Sequence, residues 1–186
     1  MTTLFGTPDI AIGMKESVSR VRLFDGPLDL SWRHCATTSD FIADLFALRF
    51  RSSRNDYIEV RHSIGYVANE LIENAVKFRA PGEIVIEASM DSECFKLKVS
   101  NDVDGENASE FKNLLADIMV GDPRDLLIQR IEANAASPDV SRSGLGLLTL
   151  MSDYGARLAW IFSPADESDR ICLETYASIP ISQTQN

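Results

Sequence analysis

Positive charge is scarce in this sequence: 186 residues carry 18 Lys and Arg against 28 Asp and Glu, a formal net charge of −10. A surface that neutralises nucleic-acid phosphates needs clustered Lys and Arg, so the deficit argues against a nucleic-acid partner. Membrane-surface binding is disfavoured too, because no basic amphipathic helix appears. There are two histidines, and the three cysteines, Cys35, Cys94 and Cys172, are odd in number and far apart. They read as isolated thiols of a reducing compartment, with no metal spacing joining them. No apolar run is long enough to cross a bilayer, and the opening "MTTLFGTPDI" lacks a basic segment followed by an apolar core. A cytoplasmic protein is expected on that pattern. GxxxxGK[ST] is missing as well, and strands do not alternate regularly with helices, which argues against P-loop and Rossmann architectures.

What is present suits one domain with a substantial core, at 45% hydrophobic residues. Leu28, Leu30 and Trp32 alternate after Gly26-Pro27, which predicts a half-buried strand. Phe41, Ile42, Leu45, Leu48 and Phe46 fall at helical spacing over residues 39–52, with Ser39 or Asp40 as the cap. The longest helix is predicted from about Asp56 to Phe78 (Ile58, Ile64, Val67, Leu71, Ala75 and Phe78 forming its apolar face), and Pro81-Gly82 ends it. "EIVIEASM" and "CFKLKVSN" alternate around a short break and predict a hairpin. Residues 109–120 and 123–135 read as two further helices, the second with Pro123 in its first turn. "SRSGLGLLTLMSDYG" (141–155) is a glycine-containing loop entering a helix, and residues 157–164 and 170–179 read as closing strands. This order predicts an α+β two-layer sandwich, a mixed or antiparallel sheet with helices on one face.

Three short stretches carry chemistry. In "ANELIENAVKF" (68–78), Glu70 and Asn74 stand one turn apart and share a side of the helix. An asparagine carbonyl is a hard oxygen suited to Mg²⁺, and a nearby glutamate can accept a proton from an attacking hydroxyl. The same pair also suits a solvated helix face, as Glu73 and Lys77 do. In "KLKVSND" (96–102), a strand ends in Asn101 and Asp102, where an amide could pair with an adenine edge or simply form a turn. In "SRSGLGLLTL" (141–150), Gly144 and Gly146 flank Leu145 and permit close backbone approach, and the helix that follows can meet phosphate with free amides.

Taken together, in this order and with these elements between them, the stretches resemble the Bergerat-fold ATPases of the GHKL superfamily (the histidine-kinase-like ATPase fold). "NELIENAVKF" is similar to the N box, which implies Glu70 as catalytic base and Asn74 as the magnesium ligand. "SGLGLLTL" is similar to the glycine box, which implies that Gly144, Leu145 and Gly146 meet the phosphates. "VSND" lies where the family has an Asp-x-Gly adenine site; here Asn101 replaces the aspartate, with Asp102 beside it, and Val103 stands where the glycine falls. The likeness spans residues 28–180 and implies one ATP-binding domain over 1–186, with 1–27 as an N-terminal extension and 104–143 as the ATP lid. Among small single-domain kinases related to anti-sigma factors, two helices before the glycine loop most resemble SiaB-type kinases. That implies ATP and Mg²⁺ as cofactors. The implied activity is phosphorylation of a small partner protein, of STAS-like or SiaC-like anti-sigma-antagonist type, on serine or threonine in a bacterial signalling switch. A homodimer is compatible with the reading. The alternative is a catalytically impaired, nucleotide-sensing module that sequesters its partner. His62 invites a histidine-kinase reading, but it lies in the same helix as Glu70 instead of on a separate upstream hairpin, which makes it a structural helix residue.

Overall fold

The computed structural model describes residues 1–12, 14, 18–24, 32–136, 144–165 and 170–181. Its strands are β1 (Thr3–Gly6), β2 (Ser19–Phe24), β3 (Glu83–Met90), β4 (Cys94–Val103), β5 (Arg157–Pro164) and β6 (Ile171–Pro180). Its helices are α1 (Asp9–Ile12), α2 (Trp32–Ala47), α3 (Arg54–Phe78), α4 (Gly105–Ile118), α5 (Pro123–Ala136) and α6 (Leu145–Asp153). Among the described residues the strands form one sheet in the order β1-β5-β6-β4-β3-β2, every neighbouring pair antiparallel. Helices α2 to α6 lie over one face, giving the two-layer α+β sandwich expected.

Alternation decides which strand residues meet the helices. Ile84, Ile86 and Ala88 of β3 and Phe95, Leu97, Val99 and Val103 of β4 are buried in the main core. Leu158, Trp160 and Phe162 of β5 join them, and Trp160, Phe95 and Phe162 are among its largest fully buried side chains. The intervening residues face the other way and carry charge: Lys98 bonds Glu174 at 2.5 Å and Glu87 at 3.4 Å, and Arg20 also pairs with Glu87. This reverse face is not bare of helix. The short α1 packs there, where Ile10 meets Ala159 and Tyr176.

Helix α3 begins on a Ser53 cap that accepts the Asp56 amide at 3.4 Å, close to the predicted start, and it ends at Phe78 as expected. Helix α4 is capped by Asp104, which takes the Asn107 amide at 2.8 Å, and Pro123 opens α5.

Three expectations need correction. Trp32 opens α2 instead of ending a strand, and residues 25–31, including Leu28 and Leu30, lie outside the described residues. Ser39 sits buried inside α2, donating to the Ala36 carbonyl at 2.9 Å, so it is no cap. The face of α2 is also different: Ile42, Ala43 and Ala47 are buried with Cys35 and Phe46 is half-buried, whereas Phe41 and Leu45, and Leu48 just past the helix, are exposed. The reason is the neighbour. Helix α2 lies close along α3, with Ala43 facing Gly65, and small side chains permit that approach. Within residues 1–27, the described strands β1 and β2 form the two edges of the sheet.

Gly6 shows how tightly one edge is fitted. Its φ is 80°, and a Cβ there would collide with the Leu158 carbonyl oxygen, which also accepts the Thr7 amide at 2.9 Å. Gly6→Ala should therefore cost about 1–3 kcal/mol in urea unfolding. Gly82→Ala, where an added methyl would meet nothing within 4 Å, should stay within about 0.5 kcal/mol of wild type. Equal stability of the two variants would mean that β1 does not hold this edge.

Candidate functional site

Helix α3 buries Val60, Ile64, Val67, Ala68, Leu71, Ile72, Ala75 and Phe78, an arc that faces both α2 and the sheet. Glu70 and Asn74 flank that arc on one side, each half-buried. They open on a cleft of about 320 Å³ lined by Cys35, Glu70, Glu73, Asn74, Val76 and Lys77. Glu73 accepts the Asn69 amide at 2.8 Å, and the Lys77 ammonium lies 4.8 Å from the centre of the Phe78 ring.

The glycine loop meets this helix directly. Gly144 caps α6 in the left-handed region at φ 86°, and its carbonyl accepts the Leu148 amide at 3.1 Å. A side chain there would come within 2.8 Å of Arg130 Nη1 on α5 and 3.0 Å of Leu114 Cδ1 on α4. Gly146 lies in the first turn of α6, and a Cβ on it would overlap the Glu70 carboxylate outright. The backbone at Gly146 and the carboxylate of Glu70 are thus in face-to-face contact. Leu145 stands between the two glycines, half-buried.

Burial pushes the Glu70 carboxyl above the ordinary glutamate value, and the neighbouring Glu73 charge pushes it further. The Tyr66 hydroxyl pulls the other way. The Cys35 thiol is raised as well, first by burial and then by Glu73. Tyr66 was not singled out from the sequence, although it continues the four-residue spacing of Glu70 and Asn74 one turn earlier. Its ring stacks on Tyr154, with centres 4.9 Å apart and planes 9° from parallel, and the His62 ring lies 6.2 Å from that of Tyr154. Arg130 was missed because nothing in its own segment marks it; the fold alone brings it to Gly144.

At the strand end the two neighbouring residues part company. Asn101 faces the helices, 4% exposed, between Ile84 and Leu173 in register. Its Nδ2 donates to the Asp102 carbonyl at 3.3 Å, and its Oδ1 is buried with no hydrogen-bond partner. Asp102 points to the reverse face of the sheet, beside Cys172, because strand neighbours alternate. Its backbone carbonyl ties down the end of α3 by accepting the Ala80 amide at 2.7 Å. Asp102 is therefore separated from Glu70, whereas Asn101 shares its side of the sheet. Val103, where a family glycine would fall, is a core residue, 1% exposed.

The segment expected to form a lid, 104–143, is two different things. Helix α4 is core, with Ala108, Phe111, Leu115 and Ile118 buried and Phe111 stacked on Phe78 at 4.9 Å. Helix α5 lies further out, with Ile128 and Ile131 exposed, and residues 137–143 lie outside the described residues. No helix among the described residues is long and apolar enough to cross a membrane, and none of their His, Cys, Asp and Glu side chains form a metal-holding group of three.

No protein-family model matches this chain, and no curated protein matches it in sequence. Its fold is similar to that of a chain in the crystal structure of the SiaB-SiaC complex from Pseudomonas aeruginosa, with a TM-score of 0.56 and 14% identity. That likeness covers 86% of this chain and 89% of the other.

The raised Glu70 carboxyl has a consequence for stability. A carboxyl that binds its proton more tightly when folded costs stability once ionised, so its contribution is full at low pH and is lost as pH rises from the ordinary glutamate range through the folded value. Glu70→Gln should therefore be more stable than wild type at about pH 8, with the gap closing towards about pH 4. Urea midpoints at the two pH values measure this. A gap independent of pH would mean that ionisation of Glu70 is not disfavoured by the fold.

Proposed function

We propose that this protein binds Mg·ATP between α3 and the glycine loop, and phosphorylates a serine or threonine hydroxyl on a small regulatory partner protein. The observation that carries the reading is the contact of Glu70 with Gly146. Two stretches marked independently in the sequence, from opposite halves of the chain, meet side chain to backbone. A solvated helix face would not place a half-buried carboxylate against the first turn of another helix.

The residues present fit the nucleotide. Asn74 offers a hard oxygen at the cleft, appropriate to a magnesium ion that keeps most of its waters. Gly144, Leu145 and Gly146 leave backbone amides at the start of α6, where an anion is favoured. The orphaned Oδ1 of Asn101 is an acceptor in search of a donor, and an adenine amino group supplies one. Mg·ATP, when bound, supplies the phosphoryl group. Glu70 takes the proton from the attacking hydroxyl, a task that a carboxyl raised above its ordinary value performs better near neutrality. A protein partner is supported by the fold likeness to a chain solved in the SiaB-SiaC complex, which also favours a role in signalling.

A second reading, a nucleotide-sensing module that sequesters its partner without catalysis, draws on one observation. Asn101 is neutral, so an adenine contact there lacks the charge assistance of an aspartate.

Calorimetric titration with Mg·ATP tests the first reading. Wild type should bind, and Asn74→Ala should bind about tenfold or more weakly while remaining folded. Incubation with radiolabelled ATP and the co-purified partner then separates the two readings. Label on the partner's serine or threonine supports the kinase. A normal complex that stays unlabelled, with nucleotide bound, leaves the module. No nucleotide binding by wild type overturns both.

A further inference from the structure

Helix α2 is apolar on both of its faces. On the inward side Cys35, Ile42, Ala43 and Ala47 are buried, and the half-buried Phe46 meets Phe95 of β4 edge to face, with ring centres 5.1 Å apart. On the outward side Phe41 is 57% exposed and Leu45 42%. Leu48, in the single 3₁₀ turn Leu48–Phe50 that continues the helix, is 55% exposed. The intervals are four and three residues, the spacing of a heptad seam, which lines side chains up along one stripe. A lone exposed leucine is ordinary on a protein surface. Three large apolar side chains in one stripe, opposite the helix's own core face, are not. A helix apolar all round belongs where it is covered all round.

Charge indicates what covers it. Two copies of a chain of net charge −10 repel one another over most of their surface. Residues 33–61, which hold α2 and the start of α3, carry five arginines against four acids, a net +1 that leaves −11 for the rest. The signs are also segregated along the stripe. Asp40 and Asp44 flank its first half, where Arg61 of α3 pairs with both and leaves that end net negative. Arg49, Arg51 and Arg54 outnumber Asp56 at the other end. We propose that the stripe is a homodimer interface, in which α2 packs antiparallel on α2 of a second copy about a two-fold axis near Leu45. Phe41 then faces Leu48 of the second copy, and each acidic end lies over a basic end. A strongly acidic or basic protein would find half of the stripe repulsive, whereas a second copy turned end for end complements it throughout. Helix α2 also lends Cys35 to the cleft beside Glu70, so the second copy braces that wall from outside. The inference does not depend on the phosphotransfer reading.

Sedimentation equilibrium of the full chain, over roughly 1–200 μM, reads the oligomeric state directly. Wild type should dimerise within that range. Leu45→Glu, which sets an acid at the axis on an exposed position, should weaken the dimer about tenfold or more while the circular dichroism spectrum stays that of wild type. Phe41→Ser should weaken it as well, and it decides the matter should Leu45→Glu misfold. Orientation is read by mixing Phe41→Cys with Leu48→Cys under mild oxidation. Position 41 of one copy should join position 48 of the other in preference to like positions, with wild type oxidised alongside to account for Cys35, Cys94 and Cys172. Preferential joining of like positions overturns the antiparallel packing. A wild type that remains monomeric throughout overturns the proposal, as does a dimer indifferent to both substitutions. A monomeric wild type whose complex with the co-purified partner is lost in Leu45→Glu assigns this face to that partner instead of a second copy.

Discussion

The enclosure of helix α3 is the constraint on which the rest of this molecule depends. It lies between α2 and the sheet, and eight of its side chains are buried along one wide arc. A helix enclosed in this way has few positions at which a polar group can be half-covered without being cut off from water. Glu70 and Asn74 occupy such positions at the margin of the arc. The raised carboxyl follows from that margin as much as from any nearby charge, since burial is its largest cause. Glycine at position 146 follows too, because a side chain there would have to displace the carboxylate. The chemistry of the site is thus a consequence of how α3 is packed, and a chain that loosened α3 would lose the properties of Glu70 with it.

Much of this was legible in the sequence where a periodicity was unambiguous. The β3–β4 hairpin, the closing strands and the long helix all show strong patterns that survive folding. Other parts were obscured for identifiable reasons. Helix α2 places the large apolar residues Phe41 and Leu45 outside and the small ones, Ala43 and Ala47, inside beside Ile42, which hydrophobic weight alone does not suggest. Close approach of two helices rewards small side chains, and that preference is invisible until the partner helix is known. Strand β2 was hidden by Arg20 and Arg22, which face outward as edge-strand charges and dilute the alternation of Val21 and Leu23. At the site, Tyr66 lay in plain view at the right spacing, but Arg130 could only be found through the tertiary fold.

The net acidity of the chain takes on a different look in three dimensions. A part of the excess is paired across the reverse face of the sheet, where Lys98 sits between Glu87 and Glu174 and Arg20 shares Glu87. Those partly exposed pairs contribute modestly to stability. Their more useful effect is to keep the open face polar. The helical face has its own cations, Arg130 beside Gly144 and Lys77 in the cleft. A protein of net charge −10 can therefore present a locally favourable field to an anion.

The pairing of β1 with β5 joins Thr3 to Phe162 and Gly6 to Ala159, so the earliest strand in the sequence hydrogen-bonds to almost the last. A ribosome makes the chain in order, and β1 emerges long before the strand that will receive it. Until β5 appears, the backbone donors and acceptors of residues 3–6 have no ladder to join, and the same holds for the seat of α1 on Ala159 and Tyr176. Pairings this distant in sequence are closed late and slowly, because the intervening loop must be gathered first. This architecture therefore completes its sheet only after β6, which joins β5 to β4, has been synthesised, and until β5 appears β1 carries an unsatisfied edge.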